Sequence, residues 1–183
     1  MENGRVDWEQ LFRTELLLIS DMSLRAKVLD ILNMYVDERH VHEGASSTGK
    51  YHPEFSQGEG GLIRHTKAVV FILKELCNTR PDMCTNNLIA AAILHDMKKY
   101  VGNDIYTKHE HPALMAAVCM DEGLVTIAHL IESHMGQWTA NKRSPIVLPM
   151  PITEDAWLLH YADYLASRKW LNLNFMNNEL VTV

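Results

Sequence analysis

The sequence predicts an all-α fold, because apolar residues recur through most of the chain at the three- and four-residue spacing of amphipathic helices. A chain of 183 residues, 47% of them hydrophobic and 22% charged, is long enough for one globular domain to bury its own core. We find no convincing pair of strands, no internal repeat and no low-complexity tract. We therefore expect residues 1–183 to form one compact helical bundle.

The first part of the chain predicts two helices, a long loop and a third helix. Residues 8–19 and 23–36 show helical periodicity and no obvious chemistry. Residues 37–61, DERHVHEGASSTGKYHPEFSQGEGG, are rich in Gly, Ser, His and charge and predict a loop. Loops of this length in compact domains are often functional. Helical periodicity resumes in LIRHTKAVVFILKEL, where His65 stands in the first turns.

A strongly apolar helix is predicted next, over residues 87–100. Its run LIAAAIL indicates a buried segment, and HDMKKY follows directly. We therefore expect His95 and Asp96 at the end of a buried helix. From that position their side chains would project into a cavity while the backbone stays anchored in the core.

Three further helices complete the predicted bundle. Proline at position 112 is allowed in the first turn of a helix over residues 112–121, and a helix over residues 125–135 ends before a glycine. Thr153 is the predicted N-cap of the last long helix, residues 154–171, whose acidic first turn is favourable. The expected domain thus comprises amino-terminal helices (1–36), the loop (37–61), a helical core (62–171) and a tail (172–183).

Six side chains within or beside these helices are typical metal ligands: His65, His95, Asp96, His111, His134 and Asp163. A polar side chain in a helical core is costly unless a partner satisfies it, and one or two divalent metal ions would satisfy this set. Mixed imidazole and carboxylate ligands favour Mn, Fe, Co, Ni or Zn over Mg or Ca. The alternative is a buried polar network or, for His111 and His134, a helix cap and a surface histidine.

Composition argues against several classes of protein. The net charge of −6 disfavours avid binding of duplex DNA, which depends on Lys and Arg neutralising phosphates. No stretch approaches the ~20 apolar residues of a membrane span, and the amino terminus, MENGRVDWEQ, lacks the pattern of a signal peptide. We therefore expect a cytoplasmic protein. Cys77, Cys84 and Cys119 form no CxxC pair and predict neither a disulfide framework nor a cysteine zinc site.

The order of the motifs carries a family resemblance. The segments GGLIRHT, ILHDMKK and HYADYLASR resemble the HD-domain superfamily of metal-dependent phosphohydrolases over residues 51–169. With YHPEFSQGEGG and ESHMG included, the chain is similar to small HD hydrolases of phages and bacteria and to the HD part of YhaM-type 3′–5′ exoribonucleases. The usual HDxGK motif reads HDMKK here, so Lys98 replaces the glycine. The spacing from His52 to His65 is also longer than in YhaM-type sequences.

This resemblance implies a compact HD-domain helical bundle whose first metal ion is held by four residues: His65, His95, Asp96 and Asp163. His111 and His134 match positions that hold a second ion in the dinuclear branch of the superfamily, with Asp96 bridging the two ions.

Basic and imidazole side chains near these ligands are candidates for substrate contact. Lys99, one turn beyond Asp96, is expected to hold a substrate phosphate and to share the catalytic role with Asp96. Arg64 is a weaker candidate for phosphate binding. His52 lies either over the active site or on the surface of its loop.

These observations lead us to expect a hydrolase that cleaves phosphoester or phosphoanhydride bonds of nucleotides with a metal-activated water. Asp104 or Glu110 could protonate the leaving group, and the spacing does not select between them. Two alternatives stay open: a 3′–5′ exoribonuclease or phosphodiesterase acting on short single-stranded nucleic acid, and a non-catalytic nucleotide-binding HD module. The acidic composition and the few, helical residues before the motifs favour a nucleotide substrate. The tail NLNFMNNELVTV suggests a possible homo-oligomer.

Overall fold

A computed structural model describes residues 6–102 and 105–181 and shows an all-α architecture, as predicted. None of the helices in these two stretches combines the length and apolar character that a membrane crossing requires. Within the described residues the α-helices are α1 (Trp8–Leu11), α2 (Arg13–Leu16), α3 (Met22–Tyr35), α4 (Gly61–Cys77), α5 (Asn86–Leu94), α6 (His111–Asp121), α7 (Val125–Glu132) and α8 (Glu154–Ala166). Two short strands follow: β1 (Phe175–Met176) and β2 (Glu179–Leu180).

Helices α4 and α5 form the centre of the bundle. Helix α4 packs on α8 and α5, and α7 joins α5 to α6. Residues 88–94 of α5 are all buried, as their uninterrupted apolar sequence predicts. Helix α3 packs on α5 from the amino-terminal side of the chain. The bundle therefore surrounds the helix whose end carries His95 and Asp96.

Several predicted helices are shorter in the structure. The predicted helix over residues 8–19 is divided at Phe12, whose φ of −109° departs from helical geometry. The helix predicted to reach residue 100 ends at Leu94, because hydrogen bonds from Met97 N to the Leu94 carbonyl and from Lys99 N to the Asp96 carbonyl close tighter turns. The helices predicted to reach residues 135 and 171 end at Glu132 and Ala166.

The predicted loop, residues 37–61, folds back onto α4. Its backbone is tied by hydrogen bonds from Ala45 N to the Ser56 carbonyl and from Leu62 N to the Glu43 carbonyl. A Cβ on Gly61 would overlap the Ser56 carbonyl, so this close approach requires glycine. The loop is thus held beside the amino-terminal end of α4, where His65 lies.

The carboxyl-terminal segment forms a hairpin that the sequence analysis missed. Strands β1 and β2 pair antiparallel, and the turn between them places Asn177 and Asn178 at φ values of 50° and 64°. Asn tolerates this left-handed conformation better than most residues, which suits the tight turn of a hairpin. Phe175 packs on Phe55 with ring centroids 5.2 Å apart. The tail that suggested a homo-oligomer therefore packs in part on its own chain.

A buried lysine joins this hairpin to the amino-terminal helices. Lys67 on α4 is 1% exposed, and its ammonium lies 2.5 Å from Glu179 Oε1 and 3.4 Å from Glu15 Oε2. Burial, the largest influence, raises the pKa of Glu15 even though Lys67 opposes that effect. The three side chains form an ion cluster that depends on the lysine charge.

We expect Lys67→Met to lower the free energy of unfolding by about 3 kcal/mol, because it leaves the buried Glu15 without its cationic partner. Urea denaturation measures this change. Lys74→Met, at an exposed position of the same helix, is the matched control and is expected to change stability by less than about 0.5 kcal/mol. Equal stability of the two variants would contradict a stabilising role for the cluster.

Candidate metal centre

The potential ligands all stand at or near helix ends. His65 lies in the second turn of α4, His95 and Asp96 directly follow α5, and His111 begins α6. His134 lies just beyond α7, and Asp163 lies in the last turn of α8. Helix ends that converge in the core bring these side chains together at the centre of the bundle. The four histidines and Asp96 are at most 2% exposed, and the Asp163 side chain is 17% exposed.

The Asp96 carboxylate lies in the middle of this cluster. Its Oδ2 is 3.5 Å from both His65 Nε2 and His95 Nε2. Its Oδ1 is 2.8 Å from His111 Nε2 and 3.7 Å from His134 Nε2. The two oxygens therefore face two different pairs of imidazoles.

The cluster divides into two ligand groups that share Asp96. In the first group, Asp163 Oδ1 lies 3.0 Å from His65 Nε2 and 3.9 Å from His95 Nε2. In the second group, His111 Nε2 and His134 Nε2 are 3.4 Å apart. Two sets of three side chains bring their ligand atoms close enough together to hold a metal ion: His65, His95 and Asp163 in one set, and His95, Asp96 and His134 in the other.

Backbone carbonyls fix the orientation of three of the imidazoles. The Nδ1 of His95 lies 2.8 Å from the Ala92 carbonyl, and His134 Nδ1 lies 2.7 Å from the carbonyl of residue 131. His111 Nδ1 lies 2.6 Å from the carbonyl of residue 108. A carbonyl only accepts, so each Nδ1 carries the hydrogen and donates it. In the neutral ring Nε2 then keeps a lone pair, and all three Nε2 atoms face Asp96.

The resulting cluster contains acceptors that lack donors. His95 Nε2 and Asp96 Oδ1 are buried and have no hydrogen-bond partner among the described residues, and neither ring nitrogen of the buried His65 has one. The 2.8 Å contact of His111 Nε2 with Asp96 Oδ1 joins two acceptors when the ring is neutral. Acceptors that face one another in a buried site are costly unless a cation lies between them. The residues present therefore fit a divalent metal ion.

Electrostatics keeps most of these groups in the form that binds metal. Burial raises the pKa of Asp96, but Lys99 and His95 outweigh it and hold the carboxyl well below its usual value. Burial lowers the pKa of His134 to about 3, with His95 adding to the effect, and it also lowers the pKa of His111. Asp96 is therefore a carboxylate and these two imidazoles are neutral near pH 7. Burial also opposes charge on His95, but Asp96 reverses that effect and raises its pKa.

A cavity of about 560 Å³ leads to this cluster. This volume lies within the range of about 300–1,000 Å³ that is typical of small-molecule sites. The ligands His111 and Asp163 line it. Among the residues that the structure describes, the charged side chains of its wall are three cations and one carboxylate: Lys99, Lys108, Arg168 and Asp163. Three cationic side chains thus border the candidate site of a chain whose net charge is −6, and cations at a site favour an anionic ligand.

The other residues predicted to contact substrate have different positions. Lys99 lines the cavity, with its ammonium 2.6 Å from Asp96 Oδ2. His52 also lines the cavity, its ring centroid 5.8 Å from that of His65. Burial, reinforced by Lys99, lowers the pKa of His52 to about 3, so its imidazole is neutral. Glu110 does not line the cavity, and Asp104 lies outside the described residues.

Arg64, the weaker candidate for phosphate binding, lies away from this cavity. Its guanidinium donates hydrogen bonds to the carbonyls of Phe55, Gln57 and Glu59 and to Asn178 Oδ1. These bonds use the donors of the side chain to tie the loop and the hairpin to α4. Arg64 is absent from the cavity wall, so the structure gives it a structural role.

Several side chains of the cavity wall were not singled out from the sequence, among them Tyr51, Lys108, Trp138 and Arg168. For two of them the sequence contained an indication, because Trp138 follows the candidate ligand His134 by four residues and Arg168 follows the candidate ligand Asp163 by five. These offsets are about one helical turn, which made the two residues candidates for the wall of the same cavity, although other neighbours of the ligands, such as Arg64, do not line it. The quoted motif HYADYLASR already included Arg168 without a role for it.

A second histidine of α8 supports the turn that carries His134. His160 is buried, and its Nδ1 donates a hydrogen bond to the His134 carbonyl over 2.9 Å. Gly136, at φ 59°, passes so close to this ring that a Cβ would overlap it. The ring therefore requires a glycine at this point of the turn. His160 acts on the candidate site through the backbone of a ligand.

The comparison with protein families agrees with this geometry. A family model of the HD domain matches residues 62–168, which contain all six candidate ligands. Neither the curated proteins nor the solved structures gave a match. The family match covers more than half of the chain and extends from α4 through α8. The chain therefore belongs to the HD domain family, within the superfamily of metal-dependent phosphohydrolases.

Proposed function

We propose that this protein hydrolyses phosphoester or phosphoanhydride bonds of nucleotides in a metal-dependent reaction. The observation that carries the proposal is the buried cluster of unsatisfied acceptors at a cavity with a positively charged wall. The acceptors suit a divalent cation, and the positive wall suits a phosphate. Family membership supports the same class of reaction.

The two ligand groups have separate parts in the proposed site. His65, His95 and Asp163 would hold one ion, His111 and His134 a second, and Asp96 would face both. Bound divalent ions neutralise phosphate charge and lower the pKa of a water molecule. In hydrolysis the water oxygen forms a bond to phosphorus, the bond from phosphorus to the leaving oxygen breaks, and the leaving oxygen takes up a proton. Each turnover consumes one water.

Residues of the chain position the substrate for this reaction. The Lys99 ammonium lies at the cavity wall and contacts Asp96 Oδ2, so it would hold a phosphate oxygen and orient the carboxylate at once. Lys108 and Arg168 add positive charge along the same wall. The neutral His52 ring covers His65 and would limit the access of water from the loop side.

The two substrates that the resemblances suggest differ in size. The resemblance to small HD hydrolases of phages and bacteria favours a free nucleotide, whereas the resemblance to YhaM-type exoribonucleases favours a short RNA. The cavity at the candidate metal centre has a volume of about 560 Å³, which is within the range of sites for single small molecules. This supports a free nucleotide as substrate.

We expect protein purified without chelator to contain about two transition-metal ions per chain and to hydrolyse at least one nucleotide. Elemental analysis measures the metal. A screen with added Mn tests nucleoside mono-, di- and triphosphates, cyclic nucleotides and a short RNA. Removal of the metal with EDTA is expected to abolish hydrolysis and to lower the Tm, because the buried acceptors then lose their cation.

The screen also separates the proposed enzyme from its alternatives. Cleavage of the RNA alone would favour the exoribonuclease. Metal-free protein that binds nucleotides in a thermal-shift assay, without turnover under Mn, Fe, Co, Ni or Zn, would show a binding module and contradict the proposal.

A further inference from the structure

An exposed tryptophan borders the cavity beside the candidate metal centre. Trp138 is 43% exposed and lines the same cavity as His111 and Asp163. Its ring stacks on Tyr164 with the centroids 5.6 Å apart and the planes inclined by 14°. One aromatic ring is therefore supported by another, and part of its surface stays open to the solvent.

An arginine completes this arrangement. The Arg168 guanidinium carbon lies 4.1 Å from the centroid of the Tyr164 ring, and Arg168 Nε donates a hydrogen bond to the Tyr164 carbonyl. We call Trp138, Tyr164 and Arg168 the aromatic platform. Trp138 and Arg168 line the cavity and give its wall an exposed ring and a positive charge, and Tyr164 contacts both of them.

The platform is attached to the turn that follows the candidate ligand His134. Trp138 N donates a hydrogen bond to the Met135 carbonyl, in the turn that follows His134. His160 lies beside the platform, with its ring centroid 5.8 Å from that of Trp138, and its Nδ1 bonds the His134 carbonyl. The aromatic surface is thus held in place relative to the metal centre before any ligand binds, which lowers the entropic cost of binding.

The chemistry of this surface selects a flat ligand. A phosphate or a sugar offers no π face, whereas every nucleobase does, and bases stack on aromatic side chains with little sequence preference. The cavity is lined by Trp138 of the platform and by the candidate metal ligands His111 and Asp163. One bound molecule can therefore contact the platform with one group and the metal centre with another. We propose that the aromatic platform binds the base of a nucleotide whose phosphate lies at the metal centre. This inference rests on the proposed function and adds a base-binding subsite to it.

The test compares adenosine 5′-monophosphate with ribose 5-phosphate, which lacks the base. Titrations of the metal-loaded protein, followed by thermal shift, give the apparent Kd of each. We expect the wild type to bind the nucleotide about ten-fold more tightly, a factor within the range that base stacking contributes in other proteins. Trp138→Ala should remove the preference by weakening binding of the nucleotide alone, whereas Trp138→Phe should retain most of it.

Two further variants complete the test, one as a substitute for Trp138→Ala and one as a control. Trp138→Leu preserves apolar volume without a π face and replaces Trp138→Ala if that variant does not fold. Trp170→Ala removes a tryptophan that is 70% exposed and absent from the cavity wall, and should leave both Kd values unchanged. For a nucleotide that the wild type hydrolyses, we expect Trp138→Ala to raise KM about ten-fold with little change in kcat.

The possible failures of the two proposals differ. Two results would overturn the base-binding subsite even if nucleotides are hydrolysed. The first is that the wild type binds adenosine 5′-monophosphate and ribose 5-phosphate with equal affinity. The second is that Trp138→Ala weakens the binding of both compounds by the same factor. A preference for the nucleotide that depends on Trp138 would support the subsite even if no hydrolysis occurs.

Discussion

Asp96→Asn is expected to lower phosphohydrolase activity at least ~1,000-fold and to remove most of the bound metal, which corresponds to about 4 kcal/mol of lost transition-state stabilisation. Both carboxylate oxygens of Asp96 face imidazole nitrogens, and Lys99 contacts Oδ2. An asparagine keeps the size of the side chain but offers one acceptor and no charge. Its amide nitrogen would also point a donor at one of the ligand groups.

Elemental analysis and kcat/KM measure this result in the same sample. Asp121→Asn is the matched control, because Asp121 is exposed at the end of α6 and distant in sequence from every ligand. It should retain the metal content and activity of the wild type. Full activity of pure Asp96→Asn would show that the reaction does not use this metal centre.

The second large effect is expected from the imidazoles that face Asp96 Oδ1. The double variant His111→Gln, His134→Gln should reduce the metal content from about two ions to about one and the activity about 100-fold. Glutamine approximates the reach of the ring but is a poor ligand for transition metals. His65, His95 and Asp163 remain to hold the first ion.

The control for this variant is His42→Gln. The His42 side chain is 67% exposed and pairs with Glu59 on the surface, so its loss should change neither quantity. Metal content that stays at two in the double variant would exclude His111 and His134 as ligands. Metal content of one in both the wild type and the double variant, with activity lost only in the latter, would assign the pair to substrate contact.

Some residues of the candidate site could be predicted from the sequence and others could not. His65, His95 and Asp96 stand out because potential metal ligands occur within or directly after helices with an apolar pattern, and burial of such side chains requires a partner. Arg64 shares a helix turn with His65, yet its guanidinium binds loop carbonyls instead. Neighbours on a helix point in different directions, so proximity in sequence to a ligand did not predict proximity to the cavity.

The helix ends show the same limit. The predicted helix over residues 87–100 continues its apolar pattern through Met97 and Tyr100, which are both buried, yet the helix stops at Leu94. The spacing of apolar residues indicates which side chains are buried, but it does not distinguish a helix from the turns that follow it. The hairpin at residues 175–180 was missed for a related reason, because two-residue strands are too short to show alternation.

The sequence by itself determined the all-α class and the identity of the potential ligands, because periodicity and ligand chemistry are properties of residue type and local order. Only the tertiary structure decided which ligands face which oxygen of Asp96, which carbonyls orient the imidazoles, and which side chains line the cavity. Those features depend on where separate helices end relative to one another. Contacts between residues far apart in the chain set these positions, and the local pattern of residues does not contain them.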